Sequence, residues 1–104
     1  MRDVTVVDLN GPLSFGDGET VFREAIATLL DDGSSSILLN FEKVEFMDSS
    51  GVGAVVTCLT RVNRAGGKLK GLHLNPIVSK VLKITGVYNL IEFHNDEKKA
   101  IASF

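Results

Sequence analysis

The sequence predicts a single α/β domain with a mostly parallel or mixed sheet. Short runs rich in β-branched residues alternate with segments whose apolar residues recur at helical spacing. The chain has 104 residues, enough for one hydrophobic core but too few for separate cofactor and substrate domains. Four successive β/α pairs favour parallel strands joined by right-handed crossovers. We therefore expect one domain over residues 1–104, with about four to five strands and about four helices.

The first strand is predicted at residues 4–9, which are mostly β-branched. The turn residues Asn10-Gly11-Pro12 follow it, and Leu13 and Phe15 could extend the strand briefly. Asp17 is expected to cap the first helix. The face of that helix predicted to pack on the sheet consists of Val21, Phe22, Ala25, Ile26, Leu29 and Leu30.

The second strand is predicted at residues 37–41, a nearly continuous apolar run typical of a central strand covered on both faces. Asp48 precedes the second helix, which Gly66-Gly67 ends. Cys58 is expected on this helix as a buried, unreactive thiol. The apolar positions of the helix are Val52, Val55, Val56, Leu59 and Val62.

The last two β/α pairs are shorter. A third strand is predicted at residues 68–74, and Asn75-Pro76 supplies an N-cap with proline at the first helical position. A fourth strand is predicted at residues 90–94, with Asn95 or Asp96 capping a short terminal helix. The third helix should pack through a stripe of Ile77, Val78, Val81, Leu82 and Ile84.

Composition excludes several classes of function. The formal net charge is -2 and the basic residues are scattered, so the sequence gives no sign of nucleic-acid binding. The one cysteine rules out an internal disulfide framework and a four-cysteine zinc site. No apolar run is long enough to span a bilayer, and the amino terminus lacks a signal-peptide core. We expect a cytoplasmic protein without membrane insertion, metal or cofactor.

The motif at the start of the second helix is the strongest functional candidate. Unpaired backbone N–H groups and the helix dipole favour an anion there, so a phosphate on Ser49 would add about -1.5 to -2 charges without melting the helix. Two glycines so early in a helix are costly, and their small size would let a partner approach closely. The alternative is that these residues only cap and pack the helix. The proposed partner-binding residues are Asp48, Ser49, Ser50, Gly51, Val52 and Gly53.

The run Leu38-Leu39-Asn40-Phe41, with residues 44–53 after it, closely resembles the STAS-domain signature of bacterial anti-sigma-factor antagonists. The similarity extends over nearly the whole chain, including Gly66-Gly67-Lys68-Leu69. The resemblance implies that a partner kinase, itself the anti-sigma factor, phosphorylates Ser49, with Ser50 as the secondary candidate. It further implies that the chain is not an enzyme, that only its unphosphorylated form binds the kinase, and that a serine phosphatase resets the cycle.

Two departures from the family pattern concern the first edge of the sheet. The family commonly begins with a longer β-hairpin than residues 4–9 provide, and residues 14–19 differ from the usual Gly-x-Leu-Asp pattern. An exposed edge strand makes a homodimer conceivable, although a monomer is the simpler expectation.

The sequence allows some alternative functions and argues against others. The alternatives are a STAS scaffold or lipid-transport subunit without a phosphorylation switch, and a STAS domain that binds a small ligand or nucleotide. A serine hydrolase fails because neither Ser49 nor Ser50 has a glycine two residues before it, and His73 and His94 fall on or beside predicted strands. Gly51-Val52-Gly53 lacks the third glycine of a dinucleotide fingerprint.

Overall fold

A computed structural model describes residues 4–13 and 17–104, with side chains in the first helix described from residue 20 onward. Within these residues the chain forms four strands in the order β1-β2-β3-β4, and every neighbouring pair is parallel. The predicted α/β class with a parallel sheet is confirmed. The strands are β1 (Thr5–Asn10), β2 (Ser36–Lys43), β3 (Lys68–Leu72) and β4 (Glu92–His94).

Four α-helices alternate with these strands in the described part of the chain. Because strand order follows chain order and the crossovers have one hand, the three connecting helices cover the same face of the sheet. The last helix covers the opposite face. The helices are α1 (Asp17–Asp31), α2 (Ser49–Arg64), α3 (Pro76–Ile84) and α4 (Glu97–Ala102).

The central strand β2 is covered on both faces, as its apolar run predicts. Ile37 and Leu39 are buried against the three connecting helices, whereas Leu38 points to the other face. There it meets Ala100 of α4 and Phe104. One face of the sheet therefore packs against a large apolar cluster, and the other face packs against a small one.

Helix starts follow the capping residues named from the sequence. The side chains of Asp48, Asn75 and Asp96 each accept a hydrogen bond from a backbone N–H in the first turn of their helix, and Pro76 takes the first helical position. Asp17 is different, because the helix already includes it as its first residue. Between α3 and β4 a short 3-10 turn at Val87–Asn89, which periodicity did not predict, delays the last strand.

Several positions predicted to lie in the core are exposed. Val21 of α1 is 65% exposed, and Ile77 and Ile84 of α3 are 59% and 74% exposed. Each helix contacts the sheet along a narrow line, through Phe22 and Ile26 in α1, so residues at the margins of the apolar stripe stay in solvent. The other predicted core positions that are exposed are Ala25 and Val56.

The strand bounds differ from the prediction in all four strands, by one or two residues at an end. β2 continues past residue 41 to Lys43, and β4 begins at Glu92 rather than residue 90. β3 ends at Leu72 rather than residue 74 because His73 adopts a left-handed conformation with φ 57°, which breaks the extended backbone. Leu13 does not lengthen β1. It forms an isolated parallel bridge with Met47 instead. The predicted role of Phe15 lies outside the described residues.

Candidate functional site

The start of α2 is fixed by Asp48. Its backbone is extended, its carboxylate Oδ1 accepts a hydrogen bond from Gly51 N at 3.1 Å, and its carbonyl accepts one from Val52 N at 3.0 Å. Ser49 is consequently the first residue of the helix. The predicted capping role of Asp48 is confirmed.

Leu13 holds this helix start from the other side. Its backbone N donates to the Phe46 carbonyl at 3.0 Å, and its own carbonyl accepts from Asp48 N at 3.2 Å. These two bonds and the bridge to Met47 hold residues 46–48, which precede α2, next to Leu13, which follows β1. The motif is thus held on a rigid backbone next to the carboxyl ends of β1 and β2.

The two glycines of the motif, Gly51 and Gly53, have different surroundings. A β-carbon at Gly51 would overlap the backbone carbonyl of Leu13, so glycine is required there by packing within the chain. Packing against Leu13 therefore accounts for Gly51, as the alternative of a capping and packing role expects. Contact of Gly51 with a partner stays a prediction. At Gly53 a β-carbon would meet no atom of the described chain within 4 Å. The prediction that a partner uses this position remains open for Gly53.

Exposure separates the two candidate serines. Ser49 is exposed, whereas Ser50 is half-buried and Val52 is only 8% exposed. Gly51 is buried as well, and Asp48 is half-buried. Of the six motif residues, Ser49 therefore presents the hydroxyl that another protein can reach most easily.

Exposed apolar side chains accompany Ser49. Phe46, three residues earlier, is 48% exposed, and Val56, two helical turns later, is 36% exposed. Since positions four and seven residues apart share a helix face, Ser49, Gly53 and Val56 form one stripe, which we call the α2 stripe. Periodicity predicts Val56 to lie in the core, and no pattern in the sequence assigns a role to Phe46. The sequence carries no signal for the exposure of Phe46, which lies with exposed Glu45 between the buried residues Val44 and Met47.

Cys58 lies on α2 but contributes no reactive group. Its side chain is buried, and burial raises the pKa of the thiol from 9.0 to about 12, against a smaller lowering by Arg61. The thiolate that would be needed for nucleophilic or redox chemistry is therefore scarce at neutral pH.

A polar network lies on the face of the sheet that α4 covers. Lys70 Nζ donates to Glu92 Oε2 at 2.9 Å and to both the carbonyl and the hydroxyl oxygen of Ser103 at 2.8 Å. His94 Nε2 lies 2.6 Å from the same Glu92 oxygen and 3.4 Å from Ser103 Oγ. Because Glu92 and Ser103 meet the same imidazole nitrogen, the arrangement does not have the two-sided geometry of a catalytic triad.

Neither a group of metal ligands nor a membrane-spanning helix occurs among the described residues. Over residues 4–13 and 17–104, no three His, Cys, Asp or Glu side chains are grouped so that they could hold a metal ion. In the same ranges no helix has the length and apolar character needed to cross a membrane.

Comparisons with known proteins agree with this architecture. An anti-sigma F factor antagonist from Paenibacillus polymyxa is 26% identical over 100 residues, covering 96% of this chain and 86% of the relative. The phosphorylated form of the Bacillus cell fate determinant SpoIIAA superposes with a TM-score of 0.75 at 30% identity, covering 99% of this chain and 92% of that one. The STAS domain of a Vibrio cholerae SulP transporter has a TM-score of 0.77 at 21% identity, covering 99% and 82% of the two chains, and shows the shared fold. The sequence model of the STAS domain matches residues 1–100, and the chain belongs to the STAS domain family.

Proposed function

We propose that this chain is an anti-sigma-factor antagonist whose binding to an anti-sigma factor is controlled by phosphorylation of Ser49. The observation that carries the proposal is the exposed Ser49 hydroxyl at the first position of α2, within a family whose relatives include anti-sigma factor antagonists. The anti-sigma factor is also the serine kinase in this scheme, and a serine phosphatase restores the unmodified form. The chain itself carries no catalytic role.

The position of Ser49 suits a reversible charge. At the first turn of a helix the backbone N–H groups and the dipole favour an anion, so phosphorylation leaves α2 folded. The whole of α2 is described, and its first turn contains no acidic residue after the capping Asp48. No carboxylate within that turn would repel a phosphoryl group on Ser49. A phosphoryl group at Ser49 therefore alters the surface while the core keeps its packing.

The surroundings of Ser49 explain how the charge would act on a partner. Unmodified, the α2 stripe and Phe46 offer a small apolar surface with room above Gly53. A docked partner would cover this surface and exclude water from Ser49. A phosphoryl group in its centre would have to be desolvated beside the Asp48 carboxylate, which makes docking unfavourable. The phosphorylated protein is released for that reason.

Recovery of the tagged chain from its native host tests the proposal. We expect intact mass measurement to show a fraction that carries one phosphoryl group, mapped by peptide sequencing to Ser49. The same pull-down of the unmodified form should contain a protein with kinase activity toward this chain. Ser49→Ala should never gain the phosphoryl group and should hold the kinase constantly, whereas Ser49→Asp should lose it.

Ser50→Ala is the matched control, because Ser50 is the neighbouring hydroxyl in the same turn and is half-buried. This variant should be phosphorylated and should exchange partners as the parent chain does. A chain that is never phosphorylated, with equal partner capture by Ser49→Ala and Ser49→Asp, would contradict the proposal. Phosphorylation that persists in Ser49→Ala and disappears in Ser50→Ala would move the acceptor to Ser50.

A STAS domain also occurs in a transporter of the SulP type, so the fold is compatible with a scaffold role. The same experiment separates the two functions. A scaffold domain would keep its partners regardless of charge at Ser49, whereas an antagonist exchanges them.

A further inference from the structure

A large surface groove lies away from the serine motif. Its volume is about 570 Å³, and it lies between α3 and the last strand, at the carboxyl ends of β3 and β4. Pro76, Lys80 and Lys83 line it from α3 at helical spacing, and Tyr88 and Phe93 line the opposite wall. Small-molecule sites have volumes of about 300–1,000 Å³, so the groove is large enough for one.

The aromatic wall of the groove is held in place by the core. Tyr88 stacks on Phe93 with ring centroids 5.3 Å apart, and Phe93 meets the edge of buried Phe41 at 6.2 Å. A β-carbon at Gly71 would overlap the Phe93 ring, so the ring packs directly on the backbone of β3. A ligand that contacts this wall meets a preformed surface and loses little free energy to ordering it.

The charge in the groove is of one sign. Lys80 and Lys83 are exposed, and Lys83 Nζ stands 4.9 Å from the centroid of the Tyr88 ring, beside the apolar wall. Among the described residues that line the groove none is acidic, although the whole chain has a net charge of -2. The acidic residue in a neighbouring depression is Glu42, and that depression shares Leu74, Asn75 and Asn95 with the groove. The groove is thus a local cationic site on an acidic protein.

The backbone at the groove is also unusual. His73 has φ 57°, the one described residue other than glycine with a positive φ, and its N–H donates to the His94 carbonyl at 3.0 Å. This bond ties the ends of β3 and β4 together where Leu74 and Asn95 enter the groove lining. The carboxyl ends of parallel strands are the usual place for ligands in α/β sheets, and backbone outliers cluster at such sites.

We propose that this groove binds a small organic anion with a planar apolar body. Its carboxylate or phosphate group pairs with Lys80 and Lys83, and its body lies against Tyr88 and Phe93. None of the lining residues belongs to the motif at residues 48–53, so the site does not overlap Ser49. Binding of such a metabolite in the groove would be a second regulatory signal, in addition to phosphorylation of Ser49, and would depend on the concentration of the metabolite.

A backbone-amide NMR titration of the full chain tests this site with 1-naphthyl phosphate as the probe. Inorganic phosphate represents the charged group of this probe, and 1-naphthol represents its apolar ring; each is titrated separately. We expect 1-naphthyl phosphate to shift the amide signals of Ser79, Lys83 and Tyr88, and to bind at least about fivefold more tightly than inorganic phosphate or 1-naphthol. The double variant Lys80→Gln/Lys83→Gln should weaken binding about tenfold.

The matched control is Lys68→Gln/Lys98→Gln, which removes two exposed lysines that do not line the groove. Its affinity for 1-naphthyl phosphate should equal that of the parent chain. Three results would overturn the proposal: no localised shifts at millimolar probe, equal binding of inorganic phosphate alone, or unchanged affinity in Lys80→Gln/Lys83→Gln. None of these results depends on whether Ser49 is phosphorylated.

Discussion

Gly51 in α2 packs directly on the backbone carbonyl of Leu13, and no larger residue fits between them. The contact brings the start of α2 against the segment that follows β1, where the Leu13 carbonyl also accepts a hydrogen bond from Asp48 N at 3.2 Å. Half of the glycine pattern in the motif is therefore a packing requirement of the fold. Only Gly53 is left without an intramolecular reason among the described residues.

The two glycines form a matched pair for mutation. Gly51→Ala should destabilise the protein by about 1–3 kcal/mol, because overlap with Leu13 outweighs the gain in helix propensity. Gly53→Ala meets open space and should be neutral or stabilise by up to about 1 kcal/mol. Urea unfolding of both variants measures the difference. Equal effects of the two substitutions would contradict the packing role of Gly51.

Lys70 should anchor α4 to the sheet. It is 7% exposed, and it bonds Glu92 and both oxygens of Ser103 at the end of α4. Lys70→Met leaves the Ser103 groups without their donor, so we expect a loss of about 1–3 kcal/mol. Amide hydrogen exchange should rise at Ala100 and Ser103 more than in α2. Lys68→Met, on the same strand but exposed, is the control and should leave exchange in α4 unchanged.

The same network predicts a pH dependence of stability. Hydrogen bonds from Lys70 and His94 lower the pKa of Glu92 from 4.5 to about 2. A carboxyl with a depressed pKa in the folded state contributes stability above pH 4.5, and that contribution is lost as pH falls from 4.5 toward 2. Because the Glu92 side chain is 54% exposed, solvent screening reduces the size of the effect.

Urea unfolding of the parent chain and of Glu92→Gln across this pH range measures that contribution. The free energies of unfolding should differ most above pH 4.5 and converge near pH 2. Glu45→Gln, which removes an exposed carboxyl outside the network, is the matched control. A constant gap between Glu92→Gln and the parent would show that Glu92 titrates as an ordinary carboxyl.

Local chemistry explains which parts of the fold could be predicted from the sequence. The apolar run around Leu38 and the capping residues Asp48 and Asn75 act through their immediate neighbours, so the central strand and two helix starts follow directly. Exposure of Ile84 could not be predicted, because periodicity identifies the apolar face of α3 but not how much of it the sheet covers. The left-handed backbone of His73 also carries no signal, since side-chain-bearing residues seldom adopt it.

The candidate site shows the same division. Ser49 could be proposed from the motif because its place at a helix start is encoded next to it in the sequence. The different roles of Gly51 and Gly53 could not, since they depend on Leu13, which is distant in the chain and adjacent only after folding. Phe46 and Val56 likewise became candidates for partner contact only when their exposure was known.

Two variants separate the helix-capping role of Asp48 from a role of its negative charge in binding the kinase. Asp48→Ala removes the acceptor for Gly51 N and should cost about 1 kcal/mol of stability, whereas Asp48→Asn keeps an acceptor oxygen and should stay within a few tenths of the parent. If Asp48 serves the antagonist only by shaping the start of α2, Asp48→Asn should capture the kinase as well as the parent does. If its carboxylate contacts the kinase, Asp48→Asn should lose capture at unchanged stability. We expect the second result, because the half-buried carboxylate borders the exposed Ser49 and would face a docked kinase. Unfolding midpoints and kinase capture measured on the same preparations decide between them.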